Sequence, residues 1–122
     1  KKNEDQTEMI VRFDADGVID FANEAFLRAN EIPPEQVRGM NLLSIIPPEQ
    51  HDRFLNKLSQ LSPASPTRSE IVRVIRDGGR VEWEEWHDRA IYDADRQFVT
   101  YQAVGRNVTE LKITEQKLRE SE

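Results

Sequence analysis

VIRDGGRVEWEEWHDRAIYDADRQFVTYQAVGRN, residues Val74 to Asn107, reads as strand, turn, strand, turn, strand. The first strand starts upstream at Ser69, in a run rich in Ile and Val. RDGG, Arg76 to Gly79, is a hairpin turn, because glycine reaches the positive φ angles that tight turns require. Arg80 to Tyr92 is a long strand carrying both tryptophans. DADR, Asp93 to Arg96, turns the chain again, and Phe98 to Arg106 is the last strand. Strands joined by turns this short must run antiparallel. Trp83 and Trp86 differ in parity, so they face opposite sides of the sheet. One belongs in the core, and the other is exposed or sits at a bulge.

Upstream, residues 1–7 form a polar lead-in without periodicity. Met9 to Phe13 favours strand, Asp16-Gly17 marks a tight turn, and Val18 to Phe21 returns. Helical signals follow. Asn23 is a good N-cap before a run of helix formers, and Asn30 is a plausible stop. PPEQ occurs twice, at Pro33–Gln36 and Pro47–Gln50, with flanks that do not match. Each copy is a helix start, since proline suits a first turn where its missing N–H costs nothing. Leu42 to Ile46 is an apolar helical turn. After the second PPEQ, Phe54, Leu55, Leu58 and Leu61 form one apolar stripe, and SPASP, Ser62 to Pro66, ends that helix in a loop. The order is two strands, a group of short helices, then three strands. A five-stranded antiparallel sheet with helices over one face is a two-layer α+β fold.

The composition bounds the function. The 122 residues make one domain, with 37% hydrophobic and 33% charged residues, as in a globular chain. A net charge of −6 without a basic tract argues against nucleic acid and anionic lipid as partners. There is no cysteine, so disulfides, thiolate metal sites and thiol nucleophiles are ruled out. No apolar run approaches the ~20 residues of a membrane span, and no direct membrane insertion is expected. A cytoplasmic location is expected, whether free or within a membrane-anchored protein. Ser/His/Asp order, zinc spacing and a phosphate loop are all missing, so the chain is not expected to be an enzyme.

Four segments together resemble a PAS domain: FDADGVIDFANEAFLRA at Phe13–Ala29, VRGMNLLSIIPPE at Val37–Glu49, VIRDGGRVEWEEW at Val74–Trp86 and VGRNVTELKITEQKLRES at Val104–Ser121, the last of PAC type. The resemblance spans nearly the whole chain. It implies a sheet order of 2-1-5-4-3, which hairpins alone do not give, with the domain proper at residues 8–106. It also implies a sensing or interaction module of a bacterial signalling protein such as a histidine kinase or diguanylate cyclase. The family's usual Asp-Ile-Thr after the last strand is here Asn107-Val108-Thr109. Asn107 hydrogen-bonds but forms no ion pair, so the lock between sheet and terminal helix differs from that of the family.

Residues 107–122 read as the start of a coiled-coil signalling helix. Asn107 and Thr109 are both credible N-caps, and Val108, Leu111 and Leu118 lie on a heptad-like seam, with Glu115 between. These sixteen residues, about 24 Å of helix at ~1.5 Å per residue, are marginal alone in water. No stop signal follows Leu118. A fragment is expected, with the helix paired in a homodimer and continuing into an effector. Asn107, Val108, Thr109, Leu111 and Leu118 are the expected signal-transmitting residues.

Between helices and sheet a ligand cavity is expected. From the helical half, Phe26, Leu27, Ile32, Val37, Leu42 and Ile45 are candidates to line it. Phe54, Leu58, Val72, Val74, Trp83 and Tyr101 complete the set. The alternative is that these side chains simply fill a core and the domain is a ligand-free dimerisation connector. His51 lies on the helix that carries the iron ligand in haem-binding members of the family, but earlier in it than that ligand, and a structural histidine is the better reading. Non-covalent flavin has no positive sign, and cysteine-adduct flavin photochemistry is excluded. The acidic pairs Asp14/Asp16 and Asp93/Asp95 are turn residues, and Glu82/Glu84/Glu85 reads as a solvated strand face.

Overall fold

The computed structural model describes residues 8–121; the lead-in at 1–7 and Glu122 lie outside the described residues. The first hairpin joins β1 (Met9–Phe13) to β2 (Ile19–Ala22). Asp14 makes its turn: Oδ1 accepts from the N–H of Asp16 and of Val18, both at 2.9 Å. DADR repeats the device, with Asp93 Oδ1 accepting from Asp95 at 2.8 Å and Gln97 at 2.9 Å. A side-chain carboxylate thus satisfies the orphan amides of both turns.

Asn23 caps α1 (Glu24–Asn30), accepting from the Phe26 amide at 3.0 Å. The same oxygen accepts from the Ile10 amide at 3.0 Å, which ties the helix to β1. The helix runs through Asn30, and Glu31 makes the left-handed exit at φ 56°. Short α2 (Pro34–Val37) follows, then 3-10 turns at Leu42–Ser44 and Pro48–Gln50, and α3 (His51–Ser59). The helix face differs from the expected stripe. Phe54 and Leu58 are buried, whereas Leu55 is exposed, because successive residues stand about 100° apart and only one of them faces the sheet.

β3 (Thr67–Ile75), β4 (Val81–Tyr92) and β5 (Phe98–Asn107) form the meander, and the sheet order is β2-β1-β5-β4-β3, all antiparallel. The fold is α+β, with the sheet order that the resemblance implies. Met9, Val11 and Phe13 project from β1 into the core beside Ile19, Phe26, Leu42, Phe54, Leu58 and Ala103. Phe13 is fully buried, with ring centroids of Phe54 at 6.0 Å and Tyr101 at 5.3 Å. α4 (Thr109–Glu120) leaves directly from the end of β5. Among the described residues, no helix is long and apolar enough to cross a membrane.

Candidate functional site

A cavity of about 250 Å³ lies between the helices and the inner face of the sheet. That is just under the ~300 Å³ at which small-molecule pockets begin. Six of the expected residues line it: Phe26, Leu42, Ile45, Phe54, Val72 and Val74. Val37 and Leu58 are buried in the core away from its wall, and Leu27, Ile32 and Tyr101 pack around that core. Trp83 stands on the opposite face. The tryptophan on the wall is Trp86, edge-on to Phe26 with centroids 6.5 Å apart.

Both tryptophans occupy opposite faces as parity requires, and the inner set on β4 is Glu84, Trp86, Asp88 and Ala90. The expectation of a solvated acidic face therefore fails for Glu84, which is only 6% exposed. Glu85 does point outward and pairs with Arg106 at 2.8 Å. Basic side chains from neighbouring elements answer the inward acids. Lys57 of α3 lies 2.5 Å from Glu70 Oε2 and 2.7 Å from Asp88 Oδ2. The second contact is ionic; the Asp88 oxygen has a cation beside it but no aligned hydrogen-bond donor. Arg76 reaches Glu84 at 2.5 Å and Glu82 at 3.2 Å. The cavity wall thus combines apolar side chains with two ion-paired clusters, Lys57 with Glu70 and Asp88, and Arg76 with Glu84.

Burial pushes the Asp88 carboxyl above its ordinary 3.8, and the Lys57 charge offsets only part of this. A carboxyl raised on folding holds its proton more tightly in the folded chain. Its contribution therefore grows as pH falls through the raised value toward 3.8, and is lost as pH rises. Glu82 shifts the other way: burial pushes it up, but hydrogen bonds and charge from Arg80 and Arg76 together outweigh burial and hold it low. Its contribution is present above the ordinary carboxylate range and is lost as pH falls through its lowered value.

Trp86 lies against Gly105 of β5, its partner across the ladder. A Cβ at Gly105 would stand 2.5 Å from Trp86 Cε2 and 2.6 Å from Cδ2. Gly105→Ala is therefore expected to displace the indole and cost about 1–3 kcal/mol, as overpacking does. Urea unfolding measures the loss, and a blue-to-red shift in tryptophan emission reports the displaced ring. Unchanged stability and emission would contradict the packing described.

The expected signal-transmitting residues meet where β5 becomes α4. Val108 is buried, and its N–H donates to the Trp83 carbonyl at 2.8 Å. Thr109 is the first helical residue rather than a cap; its Oγ1 accepts from the Trp83 amide at 2.9 Å. Asn107 Oδ1 accepts from the Thr109 amide at 2.9 Å, and its Nδ2 donates to Glu82 at 3.3 Å. Lys112 places its ammonium 4.7 Å from the Trp83 ring centroid. Leu111 and Leu118 are 55% and 61% exposed, so this part of the seam is uncovered. His51 does not line the cavity; its Nε2 lies 2.8 Å from the Ile46 carbonyl. Among the described residues, no group of three His, Asp or Glu side chains is placed to hold a metal.

An antiparallel sheet with helices over one face, a cavity beneath them and a helix leaving the central strand define a class of small α+β domains. The sequence profile described as the PAS fold matches residues 4–113, and the chain belongs to this family. It is 27% identical over 115 residues to the two-component sensor PprA of Pseudomonas aeruginosa, covering 94% of this chain and 12% of that protein. Solved structures share the fold. The PAS domain of a Colwellia psychrerythraea protein superposes with a TM-score of 0.72 at 19% identity, over 84% of this chain and 87% of that one. An RNA-binding Light-Oxygen-Voltage receptor gives 0.69 at 20% identity, over 95% and 33%. The light-state Aureochrome1 LOV domain gives 0.65 at 21%, over 91% and 92%.

Proposed function

We propose that this PAS domain is the sensory module of a bacterial signalling protein. A small molecule in the cavity changes the β4–β5 junction, and α4 carries that change to a downstream effector, a histidine kinase or a diguanylate cyclase. One observation carries the reading: β4 places Trp86 on the cavity wall and, three residues away, binds the start of α4 through both backbone groups of Trp83. The likeness to a two-component sensor supports the signalling role. The exposed Leu111 and Leu118 suit pairing with a second copy, which would make α4 half of a two-helix output. Catalysis is assigned to the effector. Haem gains nothing from the position of His51, and the chain offers no cysteine to flavin.

A second reading is a ligand-free dimerisation connector. It is favoured by the charged wall, whose Lys57 and Arg76 already pair with Glu70, Asp88 and Glu84. Native mass spectrometry and an absorption spectrum of the purified chain separate the two. A stoichiometric small molecule that leaves on denaturation supports the sensor. An empty cavity in a sedimenting dimer, unchanged on screening small organic compounds, overturns it in favour of the connector.

A further inference from the structure

Arg76 stands on two walls at once. It lines the cavity together with Asn30, Ile75 and Glu84, and the same four residues line an open groove. That groove runs between the end of α1 and the turn after β3, and reaches Asn107. The Arg76–Glu84 pair therefore stands where the cavity meets the groove.

The pair is wired in both directions. On the cavity side, Trp86 Nε1 donates to Glu84 Oε1 at 2.9 Å, while Glu84 Oε2 accepts from Arg76 Nη2 at 2.5 Å. On the groove side, Arg76 Nε donates to Glu82 Oε1 at 3.2 Å, and that oxygen also accepts from Asn107 Nδ2 at 3.3 Å. Asn107 Oδ1 in turn holds the first amide of α4. Arg76 Nη1 has no partner among the described residues, so the guanidinium keeps a donor for something else.

We propose that the Arg76–Glu84 pair is the gate of the cavity, and that Arg76 is the positioning residue that reports its opening to α4. The proposal rests on the ligand-sensing reading above and names its ligand class: a small monocarboxylate with an apolar body. A guanidinium fork matches a carboxylate in two parallel hydrogen bonds. The apolar body would lie against Phe26, Leu42 and Trp86. A more highly charged anion would meet Glu82 and Glu84 at the gate. Once Arg76 turns to the ligand, Arg80, exposed and 3.0 Å from Glu82 Oε2, is the cation left on Glu82. It draws that carboxylate toward solvent and away from Asn107, and the first turn of α4 loosens.

Amide hydrogen exchange by NMR tests the relay without any ligand. In Arg76→Gln and in Glu82→Gln, Thr109 and Lys112 are expected to exchange about five- to tenfold faster, while Val11 and Ala103 keep their protection and show the fold intact. The double variant should be no faster than either single one, because both break one chain of bonds. Unchanged exchange at Thr109 in the folded variants, or additive effects, overturns the relay. Benzoate and benzamide serve as probes of ligand class. Benzoate is expected to shift the Trp86 indole N–H and the Thr109 amide together, with affinity falling about tenfold in Arg76→Gln. Benzoate shifts at Trp86 without Thr109 overturn the relay and leave a ligand-binding cavity standing. If benzamide binds as tightly as benzoate, or neither moves Trp86, the carboxylate class falls.

Discussion

Replacing Lys57 by methionine is expected to destabilise the domain by about 3–5 kcal/mol at neutral pH, the usual cost of breaking a buried ion pair from one side. The side chain of Lys57 is 10% exposed, and that of its partner Asp88 only 2%, so water does little to compensate the carboxylate left behind. Glu70 loses a partner too, but keeps Arg53 at 3.4 Å. The pH dependence identifies the cause. As pH falls toward the ordinary 3.8 of Asp88, its carboxyl takes up a proton in the folded variant and the stranded charge disappears. The gap between variant and parent should therefore narrow on acidification, as read by urea unfolding across the acid range. Adding Asp88→Asn should recover much of the loss at neutral pH. A gap independent of pH, with no recovery in the double variant, would assign the effect to lost packing rather than to charge.

Phe13→Ala is the second large effect. The side chain is fully buried at the end of β1, between the rings of Phe54 on α3 and Tyr101 on β5. Truncation leaves a cavity where three elements meet, and the expected cost is about 3–5 kcal/mol, seen as a lower urea midpoint. The exposed Leu55 provides the contrast: Leu55→Ala should stay within about 0.5 kcal/mol. Similar losses at the two positions would contradict the placement of α3 on the sheet.

Turn chemistry makes most of the architecture legible in the sequence. Asp16-Gly17 and Asp77-Gly78-Gly79 announce their hairpins because their backbone angles suit few other residues. The PPEQ segments fall at helix starts for a related reason, a proline ring that fixes φ. Sheet order was not readable from hairpins, since β1 meets β5 only across most of the chain; it came from the family resemblance.

The site was half readable. Apolar residues such as Phe26, Leu42 and Phe54 show their burial through spacing. On β4, parity shows that the tryptophans part but not which one turns inward, because EWEEWHD carries charge at both parities. The answer lies in a long-range match, Gly105 opposite Trp86, which no local pattern contains. The inward acids were missed for the same reason. Burial of Glu84 and Asp88 makes sense only once Arg76 and Lys57 arrive from other elements.

The position of β5 bears on how the chain is made. It is the last of the five strands to be synthesised, yet it sits at the centre of the sheet, paired with β1 on one side and β4 on the other. A nascent chain halted before Phe98 holds two separate hairpins with no strand-to-strand bond between them. Completion of the sheet therefore waits for the segment next to α4, and the helix is anchored in the same step of biosynthesis that closes the domain.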